Sequence, residues 1–260
     1  MSYLNTAPLV HGLLHQPYGR EFDLTFEVPS ECARAVETGR ADLGIVPVAE
    51  MARHGWDWIR GTAIAGIGAV RSIFLISRCE PRKIRNVAAD AGSRTSVQLA
   101  RIVLRERHGA DPSISAMAPD LDAMLAAADA ALIIGDAALR LDPAAIHGHV
   151  LDLGEEWWKL THLPMVFALW AGRPERLDEI GRGRLERVFR QSLDYGLARI
   201  AEIAETESPR RGFPAPLIHE YLTRYIRYDT GPAEERGLER FLQYVSELDT
   251  LVPAATASLC

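Results

Sequence analysis

Ser2-Tyr3-Leu4-Asn5-Thr6-Ala7-Pro8-Leu9 sets an amide and a hydroxyl, Asn5 and Thr6, in a short polar gap between apolar residues. Pro8 fixes its own φ and disfavours helix at Ala7, so the gap reads as a strand-to-helix turn. Turns at the carboxyl ends of strands are where open α/β proteins bind their ligands. Taken alone, Asn5 reads more simply as the cap of a helix starting near Pro8. The rest of the chain decides between the two.

Outward from that turn, short strands alternate with helices. Leu24 to Val28 reads as a strand, followed by a helix capped by Ser30 and ending near Gly39. Asp42-Leu43-Gly44-Ile45-Val46-Pro47-Val48 is a buried strand whose Pro47 again marks a carboxyl edge. The β-type run from Ile64 to Ser77 is long for a single strand and carries Arg71 and Ser72, so a bend or a crossing between domains is expected. A second α/β unit follows. Its expected strands are Val87 to Asp90, Ser113 to Ala118 and Ala131 to Ile134, with helices over Val97 to Glu106 and from Asp120 or Asp122 to Ala128. Val150 to Leu153 and Val166 to Trp170 are two more strands. From Glu175 onward strand signals nearly vanish, and amphipathic helices cover about Leu177 to Glu205, Ala215 to Arg227 and Ala233 to Leu248. The class is therefore α/β with a helical C-terminal segment. Crossings near 70–77 and 166–172 predict a discontinuous first lobe, 1–75 plus 170–260, with a second lobe, 76–169, inserted. A cleft between two such lobes is a common ligand site.

Composition bounds the function. The chain has 260 residues, 48% hydrophobic and 25% charged, with a formal net charge of −6. No basic stretch offsets that charge, which argues against nucleic acid as a partner. Cys32, Cys79 and Cys260 are odd in number and far apart, fitting a reducing compartment. No metal is expected: the histidines form no ligand pair, and His147 and His149 read as a solvated loop. There is no apolar run of about 20 residues and no basic, then apolar, leader, so a cytoplasmic protein without a membrane partner is expected.

Gly92-Ser93-Arg94-Thr95-Ser96 is the second informative stretch. Hydroxyls at a helix N-terminus add donors to free backbone N–H groups and suit an anion that must be released again. A plain cap would account for one of the three hydroxyls. Gly135-Asp136 follows a strand and opens a helix; Gly135 permits close approach of a ligand, while Asp136 is a cap or an acceptor for a ligand hydroxyl. Arg71 in an apolar run needs a partner or a ligand. Ser72 is either a cleft hydroxyl or a structural one. Trp157, Trp158 and Trp170 read first as core residues. Glycine fingerprints for dinucleotides, phosphate loops and a nucleophile elbow are absent from the sequence.

In order and spacing, these segments, together with the run from Asp152 to Trp170, resemble the chorismate dehydratases of the futalosine route to menaquinone. The resemblance covers most of the first 170 residues; the helical tail matches in character more than in motif. It implies a two-lobed type II periplasmic-binding-protein-like fold and elimination of water from chorismate, with no cofactor. It also implies Asn5 and Ser72 as catalytic residues. Thr6, Pro47, Arg71, Ser93, Thr95, Ser96, Gly135 and Asp136 are the expected substrate-binding residues. Because no His, Lys or Glu lies at the matched cleft positions, orientation and polarisation are expected to replace a strong protein base, with a substrate carboxylate taking the C3 proton.

Two departures stand out. Family members usually carry a strand before the Tyr-Leu-Asn motif, and here Met1 stands two residues before Tyr3, so an unfilled central slot is expected. A valine codon read as an initiator would account for this start. His162 stands where the family usually has a small residue, and would narrow the cleft or face solvent. A non-catalytic solute-binding protein of the same fold is the competing reading, and a regulator's effector lobe a weaker one for want of a basic helix-turn-helix.

Overall fold

The computed structural model describes residues 3–90 and 94–251. Two sheets organise the chain. The first contains β1 (Leu43–Pro47), β2 (Asp57–Gly66), β8 (Met165–Gly172) and β9 (Arg227–Asp229), in the order β1-β8-β2-β9 with antiparallel pairings. The second contains β3 (Ile73–Ser77), β4 (Asn86–Asp90), β5 (Ser113–Met117), β6 (Ala130–Ile134) and β7 (His149–Asp152), in the order β5-β4-β6-β3-β7. Parallel pairs β4–β5 and β4–β6 are joined by helical crossovers α4 (Arg94–His108) and α5 (Leu121–Ala127), as parallel neighbours require. Asp120 caps α5, accepting from the Ala123 N–H at 3.0 Å. The central strands of the second sheet are buried because helices cover them: β3 and β6 are apolar throughout except for Ser77 and are buried along their whole lengths.

The chain passes from the first sheet to the second through residues 67–72 and returns through 153–164, which include α7 (Leu153–Thr161). Ile64 to Ser77 is thus two strands with a bend between them. Arg71 and Ser72 occupy that bend, not a strand, and Arg71 adopts a left-handed φ of 64°. Residues 166–172 lie wholly inside β8, in the first sheet.

Leu24–Val28 is extended but is not a strand. Its alternating Leu24, Phe26 and Val28 carry the right pattern, yet pattern alone forms no ladder. Among the described residues no neighbouring strand pairs with it, and β1 is bonded only to β8. Phe26 and Val28 stay exposed in consequence. The helix that follows, α2 (Pro29–Glu37), starts with Pro29 at its first position and Val28 as its cap, so Ser30 lies inside it. The short helices α3 (Val48–Arg53) and α6 (Gly135–Leu139) begin at the ends of β1 and β6.

The C-terminal helices support the first sheet. They are α8 (Pro174–Ile180), α9 (Arg182–Leu197), α10 (Ile200–Arg211), α11 (Ala215–Glu220) and α12 (Pro232–Leu251). Gly181, at φ 96°, breaks the expected long helix between α8 and α9. After α11 the residues Tyr221–Tyr225 form a π-helical turn leading into β9, a three-residue strand that helical periodicity hides.

The first helix, α1 (Ala7–His15), packs backbone to backbone on α9. A Cβ at Gly196 would stand 2.1 Å from the Pro8 carbonyl oxygen, and one at Gly12 would stand 2.5 Å from the Ser192 Cα. The buried Ser192 hydroxyl crosses the contact, donating to the Leu9 carbonyl at 2.7 Å and accepting from the Leu13 N–H at 3.0 Å. Gly196→Ala must therefore separate the two helices. A loss of about 3 kcal/mol is expected, an overpacking cost, readable as a fall of several degrees in the melting midpoint. Because α1 begins two residues after Asn5, that crossing also fixes the turn opening the chain.

Candidate active site

A cavity partly open to solvent lies between the two sheets. The first sheet contributes Pro47, Ile64, Phe167 and Ala168; the second contributes Ser72, Ile73, Ile134 and Gly135; Tyr3 and Asn5 come from the N-terminal turn and Ser96 from α4. Five sequence-predicted residues thus meet at one place: Asn5, Pro47, Ser72, Ser96 and Gly135.

Asn5 does not cap a helix. It lies within the 3-10 turn Leu4–Thr6, which Tyr3 precedes, and Thr6 is the residue before α1. Its Oδ1 is buried and has no hydrogen-bond partner among the described residues. An orphaned acceptor beside a cavity is expensive unless a ligand satisfies it.

Ser72 is 4% exposed and immediately precedes β3. Its carbonyl accepts from the Gly135 N–H at 2.8 Å, which joins the ends of the adjacent strands β3 and β6. Its hydroxyl is 3.3 Å from the Val70 carbonyl and accepts from the Tyr221 hydroxyl at 2.9 Å. Gly135 has φ +60° and packs on the Tyr3 ring, where a Cβ would come within 3.0 Å. Both features call for glycine.

The bend carrying Ser72 is held by Asp152. Its two carboxylate oxygens accept from the backbone N–H groups of Val70, Arg71, Gly154 and Glu155 at 2.7–3.2 Å. Burial pushes the Asp152 pKa up, against the pull of those four backbone groups. One carboxylate thus caps α7 and clamps the passage between the sheets.

The other expected binding residues have protein partners. The Thr95 hydroxyl accepts from the Ala49 N–H at 3.2 Å, tying α4 to α3. Beside it, Arg94 pairs with the buried Glu50 at 2.5 Å. Asp136 accepts from the Leu4 N–H at 3.2 Å and pairs with Arg211 of α10. These bonds draw the two sheets together around the cavity. Arg71 donates to the Leu141 carbonyl at 2.8 Å and does not line the cavity. The Thr6 hydroxyl donates to the Tyr3 carbonyl at 2.7 Å. Ser93 lies outside the described residues.

Trp157 is fully buried and donates to the Pro164 carbonyl at 3.2 Å, and Trp170 stacks on Phe189 at 4.2 Å, as core residues do. His162 is the left-handed cap of α7 at φ 54°, a position that favours glycine; this accounts for the small residue expected there.

Among the described residues lining the cavity there is no Asp, Glu, His, Lys or Arg. Burial, with Asp90 and Asp136 nearby, holds the Tyr3 phenol far above its ordinary pKa, so it stays a neutral donor. The cavity therefore offers neutral hydrogen-bonding groups and apolar walls. It can orient and polarise a ligand, and among the described residues no strong base lines it. Sequence reasoning overlooked Tyr3 as a wall, although it adjoins Asn5, and Tyr221, which lies in the helical tail and carries no motif.

Known proteins agree with this architecture. The chain is 30% identical over 257 residues to the chorismate dehydratase of Thermus thermophilus, covering 93% of this chain and 92% of that protein. Protein AF1704 from Archaeoglobus fulgidus superposes with a TM-score of 0.74 at 15% identity, covering 96% of both chains. The periplasmic aliphatic sulphonate binding protein SsuA from Escherichia coli superposes with a TM-score of 0.62 at 18% identity, covering 96% of this chain and 91% of that one. These likenesses give the fold: two α/β lobes of the type II periplasmic-binding-protein kind with a helical C-terminal segment. No helix among the described residues is long and apolar enough to cross a membrane. Residues 1–247 match the family model described as menaquinone biosynthesis, and the chain belongs to that family.

Proposed function

We propose that this protein is a hydro-lyase that eliminates water from chorismate to give 3-[(1-carboxyvinyl)oxy]benzoate, in menaquinone biosynthesis. The convergence of Asn5 and Ser72 on one cavity between the lobes carries this reading. The relative that is 30% identical over nearly the whole chain supports it.

The ring proton at C3 leaves, the C4 hydroxyl departs as water, and the ring becomes aromatic. The elimination is redox-neutral, so its balance requires no oxidant or reductant. The proton at C3 is activated by the conjugated ring carboxylate, and aromatisation supplies much of the driving force. What remains for the protein is to hold the reacting groups in line and to favour charge where it develops. Neutral walls with Asn5 and Ser72 fit that task, and a substrate carboxylate accepts the proton. Asn5 offers an acceptor for the C4 hydroxyl and a donor for a carboxylate; Ser72 lies beside the proton in flight. Ser96, near the start of α4, suits a carboxylate.

The passages at 67–72 and 153–164 move the lobe boundaries from those expected: we take residues 3–66 with 165–251 as one lobe and 73–152 as the other. We take the working compartment as the cytoplasm, where the widely separated Cys32 and Cys79 would stay reduced.

The test is to mix the purified protein with chorismate, without added metal or nucleotide, and follow loss of the diene absorbance with mass analysis. A product lighter by one water is expected. Tight binding with no turnover would instead assign a solute-binding protein.

A further inference from the structure

We infer that Tyr221 is a positioning residue for this elimination: its buried hydroxyl donates to Ser72 and so leaves the serine's own hydrogen for the ligand. The inference rests on the function proposed above.

Three chain segments far apart in sequence meet at this point. Tyr221 is 2% exposed and stands behind Ser72, outside the cavity wall. Its hydroxyl lies 2.9 Å from the Ser72 Oγ. Burial is the main cause that holds the phenol far above its ordinary pKa, and the charges of Asp136 and Asp152 act in the same direction. The Ser72 and Asn5 side chains oppose that shift without reversing it, which places both next to the phenol. Tyr221 therefore has one hydrogen to give and keeps it.

That donation constrains the serine. With a lone pair of Oγ filled by the phenol, the serine's hydrogen points to the Val70 carbonyl, at a long 3.3 Å, or into the cavity. A weak intramolecular contact is readily exchanged for a ligand oxygen. Without the phenol, Ser72 is free to turn among its rotamers and can spend its hydrogen elsewhere.

The local backbone is built for this placement. Tyr221 opens the π-helical turn that ends α11, and the next residue after that turn, Ile226, lines the cavity. One widened turn thus seats the phenol behind the site and places part of its wall. Such turns often occur at functional sites.

The test compares Tyr221→Phe with Tyr228→Phe in steady-state turnover of chorismate. Tyr228 is likewise buried, but its hydroxyl has no partner among the described residues, so its variant controls for removing a buried phenol oxygen. Phenylalanine keeps the ring and its packing in both. Tyr221→Phe should lower kcat about 10- to 100-fold with KM within about threefold of wild type and a melting midpoint within a few degrees. Tyr228→Phe should leave kcat and KM unchanged. If Tyr221→Phe keeps wild-type kcat, or loses only KM or thermal stability, the positioning role is wrong while the dehydratase reading stands. If the wild-type protein itself leaves chorismate unchanged, the function falls first and the role of Tyr221 with it.

Discussion

Asn5→Ala should lower kcat for chorismate about 100- to 1000-fold while the protein keeps its fold. The figure is that of removing one preorganised polar group from a catalytic site. The stability arm follows from the orphaned Oδ1: it has no described protein partner, so its removal breaks no bond of that oxygen; only the side chain's contact with the Tyr221 phenol is lost, and the melting midpoint should stay within a few degrees of wild type. A structural asparagine would behave in the opposite way, losing stability first. Ser72→Ala should lower kcat by a similar factor, but with some loss of stability, because the Tyr221 hydroxyl would lose its buried acceptor. Combining the two should cost far less than the product of the separate factors, since both act on one transition state. Near wild-type kcat in both single variants would remove Asn5 and Ser72 from the chemistry.

Much of this arrangement is legible in the sequence because the α/β pattern is local. Strands β1 and β4 to β8 fall close to where apolar runs and turn residues place them. The elements that escape are those decided by distant partners. Leu24–Val28 has strand chemistry but no paired neighbour among the described residues, and β9 is only three residues long and exists because β2 lies beside it. The site divides along the same line. Pro47 and Gly135 are visible as punctuation at strand ends, where an open α/β sheet binds ligands, and Asn5 as a polar gap before Pro8. Thr95 and Asp136 sit in the same kind of position, yet their side chains are satisfied by Ala49, Leu4 and Arg211 from other elements. Residue type and spacing cannot tell a hydroxyl that meets a ligand from one that ties two lobes together. Tyr221 shows the converse: a residue 149 positions from Ser72 touches it, and no local pattern announces the contact.

Asp152→Asn should be the most damaging substitution outside the cavity, with a stability loss of roughly 2–4 kcal/mol. Both oxygens of Asp152 accept backbone N–H groups and neither faces a donor side chain. Asparagine has the same shape but replaces one acceptor by an NH₂, which would face the Val70 and Arg71 or the Gly154 and Glu155 N–H groups whichever way the amide turns. Arg71 already holds a left-handed φ of 64°, and a non-glycine residue stays there only while its surroundings enforce it. Released from Asp152, residues 70–72 can relax, and Ser72 moves with them. Turnover should therefore fall together with stability, unlike Asn5→Ala, where turnover alone falls. Asp120→Ala supplies the scale. That residue caps α5 through a single exposed bond to the Ala123 N–H at 3.0 Å, so its loss should cost about 1 kcal/mol and leave turnover intact. Equal melting losses in the two variants, or wild-type turnover in Asp152→Asn, would mean that the carboxylate is an ordinary helix cap and that Ser72 is held in place by the β3–β6 pairing alone.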